Sequence, residues 1–204
     1  MVVRGGHIAL SGGTYFTNLL YGASAAATLT NVDNTISGSG QLGDGQMTLV
    51  NQAAGVINAD AGGLYLNAGS NTVSNAGLLE ATDGGTLYIQ SPLNNSGRVE
   101  AFDGSAVVIS GLVNNSGLLE TAGSGARILL QGGTVTGKLA TSPGTVIEVV
   151  NGTSEFDGTS TALDNSSTVV VDSGSTLTLA GTIDNTGSIS VSGDANFPIG
   201  RLRC

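Results

Sequence analysis

Large aromatic side chains and cysteines are scarce in this chain of 204 residues. It has no tryptophan, four tyrosines, four phenylalanines and a single cysteine. A two-layer globular domain of this length normally places more aromatic side chains in its core, so the composition argues against that architecture. The single cysteine is the last residue, Cys204, which excludes a disulfide framework.

Positive charge is also scarce, since six Lys and Arg residues stand against 15 Asp and Glu residues and the net charge is −9. So few scattered basic side chains cannot neutralise a run of phosphates, and nucleic acid is therefore excluded as an expected partner. No segment is long and apolar enough to predict membrane insertion. The N-terminus lacks the basic-then-apolar pattern of a signal peptide. An acidic, lysine-poor surface is typical of extracellular proteins.

Helical patterning is missing as well, because no long apolar face recurs at the spacing of a helix. What the chain has instead is an internal repeat. The sequence NAGLLEA at residues 75–81 recurs as NSGRVEA at 95–101 and as NSGLLET at 115–121, a spacing of 20 residues each time. Fainter copies lie upstream and downstream. A period of this size indicates a solenoid, in which each unit buries its apolar face against its neighbours.

Within one unit the apolar residues alternate with polar ones, as at Leu79 and Ala81 and again at Leu87 and Ile89. The turn sequence Asp-Gly-Gly at residues 83–85 separates these two short segments. The pattern predicts an all-β parallel β-helix, a β-solenoid with about 20 residues per coil. Around nine coils at a strand spacing of about 4.8 Å would form a rod roughly 45 Å long. The crossover preference of parallel strands favours right-handed coiling.

The repeat divides the chain into three parts. Residues 1–28 are expected to form irregular N-terminal coils of the same solenoid, and 29–197 the regular repeats with a less regular insertion at 137–164. Residues 198–204 are expected to be a non-repeat tail. By the 20-residue spacing, Gly137 is expected to stack on Gly117. Neither end has the polar cap typical of solenoids, so we expect a segment of a longer protein that tends to associate end to end.

Two stacked columns are predicted at the corner before the first strand of each unit. Stacked amides hydrogen-bond up and down a ladder, which gives the asparagines of this corner a structural role. The glycines two residues later are expected to supply positive φ at the same corner. The asparagines are Asn75, Asn95, Asn115, Asn165 and Asn185, and the turn glycines are Gly77, Gly97, Gly117 and Gly187.

A third column consists of Glu80, Glu100 and Glu120. Carboxylates about one strand spacing apart repel one another, which raises their pKa values or recruits a cation such as Ca²⁺. The other interpretation is a solvated acidic stripe, because the equivalent positions elsewhere are Asn58 and Val170. Apart from this possible Ca²⁺ ladder, no cofactor is expected.

No catalytic residue is predicted, and the chain is expected not to be an enzyme. The only histidine, His7, has no nucleophile motif near it. A carboxylate pair such as Glu80 with Asp83 arises freely in an acidic ladder and is weak support for glycoside hydrolysis. The alternative remains a carbohydrate-active β-helix enzyme of the polysaccharide lyase or glycoside hydrolase type. That alternative needs a cleft, for which 137–164 is the candidate loop region.

The repeat pattern Asn-x-Gly-x-Leu-Glu-Ala-x-Asp-Gly-Gly-x-Leu-x-Ile resembles the repeat regions of large exported bacterial surface proteins, namely adhesin-like and autotransporter passenger regions. Residues 29–43 and 177–189 are similar to them too, and the resemblance covers most of 29–197. It implies a non-catalytic rod at the bacterial cell surface or outside the cell. It also implies multivalent contact with a host-cell or matrix surface, or with polysaccharide, and neighbouring solenoid repeats of a longer chain as further partners.

Overall fold

The computed structural model describes residues 1–12, 17–140, 144–193 and 201–203. Within these ranges the chain is all-β, without a helix, and forms a parallel β-solenoid of about 8 turns whose coils lie about 21 residues apart. The predicted fold class is confirmed, with one turn fewer than the nine expected. The described part of the chain contains no apolar helix of membrane-spanning length.

Short strands follow one another around each coil because alternating apolar residues are interrupted by turn residues every few positions. Their bounds are β1 Val2–Val3, β2 His7–Leu10, β3 Leu19–Tyr21, β4 Thr28–Asn31, β5 Thr35–Gly38, β6 Gly40–Gly43, β7 Thr48–Asn51, β8 Val56–Ala59, β9 Gly63–Leu66, β10 Val73–Asn75, β11 Leu78–Ala81, β12 Thr86–Ile89, β13 Leu93–Asn95, β14 Arg98–Ala101, β15 Ala106–Ile109, β16 Leu112–Asn115, β17 Leu118–Thr121, β18 Arg127–Leu130, β19 Thr134–Ala140, β20 Val146–Val149, β21 Thr153–Asn165, β22 Thr168–Val171, β23 Thr176–Asn185, β24 Ser188–Val191 and β25 Arg201–Arg203.

These strands stack into three parallel sheets along the rod. Sheet 1 has the order β1-β4-β7-β10-β13-β16-β19-β21-β23-β25, sheet 2 the order β17-β14-β11-β8-β5-β2, and sheet 3 the order β24-β22-β20-β18-β15-β12-β9-β6-β3. Alternate side chains of every strand point into the space that the three sheets enclose. The core is therefore one continuous column of Leu, Ile, Val and Ala, with Phe156 as its one fully buried aromatic side chain among the described residues.

From β10 to β17 the stacking follows the 20-residue period. Leu79 pairs with Val99, and Val99 pairs with Leu119. All three side chains are fully buried. Equivalent residues of successive units therefore lie directly above one another, as the repeat predicts for this part of the chain.

After β17 the register differs from the one predicted, because two turns are each one residue longer than their equivalents in the preceding coil. Ala106 pairs with Arg127, and Leu112 pairs with Thr134. Gly137 consequently stacks on Asn115 rather than on Gly117. The expectation that a 20-residue spacing continues to Gly137 was wrong, since turn length is free to change while the strands stay paired.

The predicted insertion at 137–164 includes most of β21, which has 13 residues. Gly158 pairs with Gly181, whereas Leu163 pairs with Ile183, so four residues of β21 lie opposite one residue of β23. This four-residue bulge, residues 159–162, projects from the outer surface of sheet 1. Within the predicted tail, β25 pairs with β23 and extends sheet 1, while 198–200 and Cys204 lie outside the described residues.

Candidate functional site

The corner asparagines form a buried ladder of amide-to-amide hydrogen bonds. Each Nδ2 donates to the Oδ1 of the next asparagine along the rod, over 2.8 Å from Asn51 to Asn75, 2.7 Å from Asn75 to Asn95 and 2.7 Å from Asn95 to Asn115. The Nδ2 of Asn75 also donates to the Arg98 carbonyl oxygen. Because each amide is bonded on both sides, its burial costs little and the corner is held in register.

This ladder is longer than predicted at one end and interrupted at the other. It begins at Asn31, whose Nδ2 donates to Asn51 over 2.9 Å. Sequence reasoning missed these two asparagines because the step from Asn51 to Asn75 is 24 residues. The amide of Asn115 donates to the Lys138 carbonyl oxygen. The amide-to-amide bond reappears between Asn165 and Asn185, at 2.7 Å.

The turn glycines are needed for a different reason from the one predicted. None of Gly77, Gly97, Gly117 and Gly187 has positive φ, so that expectation was wrong. A Cβ on Gly97 would lie 2.2 Å from the Gly77 carbonyl oxygen, and one on Gly117 would lie 2.0 Å from that of Gly97. The coils approach so closely at this corner that only glycine fits.

The acidic column is brought together on the outer face of sheet 2, where Glu80 pairs with Glu100 and Glu100 with Glu120. Glu100 and Glu120 are each only 5% exposed, so these two do not form a solvated stripe. The Arg98 guanidinium lies between them, with Nη1 3.1 Å from Glu100 Oε2 and Nε 2.7 Å from Glu120 Oε1. One arginine of the chain thus supplies a cation to two of the three carboxylates.

Burial is the main reason why the pKa of Glu80 is raised, and the negative charges of Glu100 and Asp60 raise it further. Burial also raises the pKa of Glu100, where Arg98 opposes the shift and Glu120 adds to it. The column therefore favours bound protons and cations. Among the described residues no group of three or more His, Cys, Asp and Glu side chains is placed to hold a metal ion. The Ca²⁺ interpretation stays a prediction.

A second candidate site, which sequence reasoning missed, is a groove of about 550 Å³ on the outer face of sheet 1. Five outward positions that pair from coil to coil form its floor. They are Val50, Ser74, Asn94, Asn114 and Thr136. Corner residues and two bulge residues, Ser160 and Thr161, complete the lining, in which no side chain is ionisable. We refer to this surface as the polar groove.

Part of the floor of the polar groove is itself hydrogen-bonded. The exposed Asn114 donates from Nδ2 to Asn94 Oδ1 over 2.8 Å, and the Thr136 hydroxyl donates to Asn114 Oδ1 over 3.0 Å. The recurrence of asparagine at Asn94 and Asn114 was a usable signal in the sequence. The contribution of the bulge was not, because it depends on the register between β21 and β23.

The other polar residues named from the sequence lie apart from both surfaces. The imidazole Nε2 of His7 lies 2.9 Å from the Ser37 hydroxyl, in β2 and β5. Asp83 has a positive φ of 54° and Asp103 accepts a hydrogen bond from the Ser124 amide, as turn residues do. Comparisons with protein-family models, with curated proteins and with solved structures give no match to this chain.

Proposed function

We propose that this chain is a non-catalytic structural rod, a segment of a large exported bacterial surface protein that makes multivalent contact with a surface, with another cell or with polysaccharide. The observation that supports this most is the continuity of the three parallel sheets, with 10, 6 and 9 strands, around one apolar column. Ladder hydrogen bonding along the axis resists bending, and the resemblance of the repeats to adhesin-like regions supports the location outside the cell.

The repeat also supports the multivalent mode of contact. Stacked coils present equivalent side chains at intervals of about 4.8 Å, the spacing of neighbouring strands. Contacts that are weak one at a time become strong together when a rigid rod holds them at fixed positions, because each later contact forms at a high effective concentration. A stiff scaffold loses little conformational entropy on binding, which favours the rod over a flexible linker.

The test compares the chain with a tandem of two copies on a polysaccharide-coated surface and on intact cells. Retention of the tandem should exceed that of the single chain by about 10²-fold or more if contact is multivalent. A tandem joined by a long Gly/Ser linker, which separates the two copies, is the matched control and should gain less. Equal retention of single and tandem chains on every surface would contradict the proposal. Release of shortened polysaccharide would contradict its non-catalytic part.

A further inference from the structure

We infer that the polar groove on sheet 1 binds an extended, uncharged polysaccharide chain that runs parallel to the rod axis. This inference rests on the proposed function for its biological setting and names a ligand class and a site for it. It starts from the lining of the groove, which has amides and hydroxyls at Ser74, Asn94, Asn114, Thr136, Ser160 and Thr161 but no ionisable side chain.

The lack of charge in the lining selects against charged ligands. A carboxylate, sulfate or ammonium group placed in the groove would lose water and meet no opposite charge there. The chain as a whole carries a net charge of −9, so an anionic polymer is repelled at long range as well. A neutral sugar has hydroxyls that donate and accept, and amides and hydroxyls are its complement.

Unused hydrogen-bonding atoms are present at both sides of the groove. Asn94 Oδ1 accepts from Asn114, but the Asn94 amide nitrogen donates to no acceptor among the described residues. The exposed hydroxyls of Ser160 and Thr161 likewise make no hydrogen bond within the described part of the chain. These groups are satisfied by water in the free protein and are available to a ligand that brings its own hydroxyls.

The geometry of the floor suits an extended sugar chain better than a peptide. Successive floor residues are about 4.8 Å apart along the axis, and a sugar ring in an extended β-linked chain advances by a similar distance. A peptide would need free main-chain groups for strand addition. The interior strands of sheet 1 already have neighbours on both sides, so no such edge is present in the groove.

The expected binding is weak for each sugar and dependent on chain length. The two stacked tyrosines, Tyr65 and Tyr88, lie on sheet 3 with ring centroids 4.2 Å apart and do not line the groove. Without an aromatic platform the affinity depends on many hydrogen bonds, each of which adds only a small net free energy in water. Affinity should therefore rise with oligosaccharide length and level off at about five sugars, one for each floor residue.

The experiment titrates the purified chain with neutral β-linked gluco-, manno- and galacto-oligosaccharides of increasing length, by calorimetry or by nuclear magnetic resonance. In Asn114→Asp and Ser160→Asp the new charge faces the groove, and each should weaken binding of the longest chain by about tenfold or more. Gln90→Glu adds the same charge at an exposed position outside the groove and should leave the affinity unchanged. Thermal unfolding checks that all three variants are folded.

Three results would overturn the inference: no binding of any neutral chain, stronger binding of polygalacturonate than of a neutral chain, or equal affinities for Ser160→Asp and the wild type. If neutral chains fail to bind while the tandem rod still gains retention on cells, the groove is not the site but the proposed function stands. If the oligosaccharides bind but the tandem gains nothing, the groove stands and the multivalent rod function fails.

Discussion

The coils at residues 73–121 and those at 122–165 use the same core and differ at their corners. In the first region the asparagine ladder continues without interruption, and the strands pair at an offset of 20 residues. In the second region Gly137, with a φ of 84°, stands at the ladder position, and the sheet register shifts between Gly158 and Leu163. Val135 and Phe156 nevertheless remain fully buried and paired.

The difference indicates that the corner residues hold the register and that the apolar column tolerates its loss. Where asparagine and glycine recur together, two coils can stack in only one way, because the amide bonds and the close backbone approach fit one register. Where they do not recur, extra residues are accommodated outside the core. The bulge at 159–162 is such an accommodation, and it supplies two residues of the polar groove.

The largest expected effect comes from a methyl group at the close corner. Gly97→Ala should destabilise the fold by about 3 kcal/mol, since the new Cβ would meet a backbone oxygen that cannot move away without parting the coils. Gly104 has positive φ and open space around it, so Gly104→Ala should cost only about 1 kcal/mol of backbone strain. Chemical denaturation measures both, and a larger loss for Gly104→Ala would contradict the close-approach explanation.

Breaking the amide ladder should have the next largest effect. Asn95→Ala removes a buried side chain that accepts from Asn75 and donates to Asn115. It should cost about 2–3 kcal/mol because both partners are left buried without a hydrogen bond. The neighbouring exposed Asn94 is the matched control, and Asn94→Ala should change the free energy of unfolding by less than about 0.5 kcal/mol. Equal losses for the two variants would show that the ladder adds no stability beyond that of a surface amide.

Removing the guanidinium from the acidic column should have a smaller effect. Arg98→Leu places in β14 the residue that β11 and β17 have at the same position. It should destabilise the fold by about 1–2 kcal/mol at neutral pH, because two buried carboxylates lose their cation while the half-exposed arginine is partly screened. Arg127→Leu, which removes the more exposed pair with Glu148, should cost less than about 1 kcal/mol. Equal costs measured by denaturation would contradict a special role for Arg98.

The smallest expected effect is a gain in stability from Glu80→Gln. The folded state raises the pKa of Glu80, so it binds a proton more readily than the unfolded chain, and ionisation at neutral pH destabilises it. The wild type should therefore become relatively more stable as the pH falls through the raised pKa towards the ordinary carboxylate range. Glu80→Gln should be more stable at neutral pH and lose part of this pH dependence in thermal unfolding. A variant less stable than the wild type at neutral pH would refute the assignment.

Much of the regular region was predictable from the chain itself, and the candidate sites were predictable only in part. The columns of Asn75 and Glu80 followed from the 20-residue repeat, because stacking translates sequence spacing directly into neighbourhood. The role of Gly97 was misjudged, since a sequence pattern does not distinguish a glycine needed for positive φ from one needed for close approach. The pairing of Arg98 with Glu100 was not foreseen, because burial of an outer face depends on what the neighbouring coils place beside it.

The sequence alone determined the architecture: alternation of period two makes strands, and recurrence at about 20 residues makes them stack in parallel. Both are local patterns that act through the burial of apolar side chains, and they do not depend on details of the turns. The tertiary structure decided the register after Thr121, the burial of Glu100 and Glu120, and the existence of the polar groove. Each of these depends on distances between residues about one coil apart, and such distances change whenever a turn gains or loses a single residue.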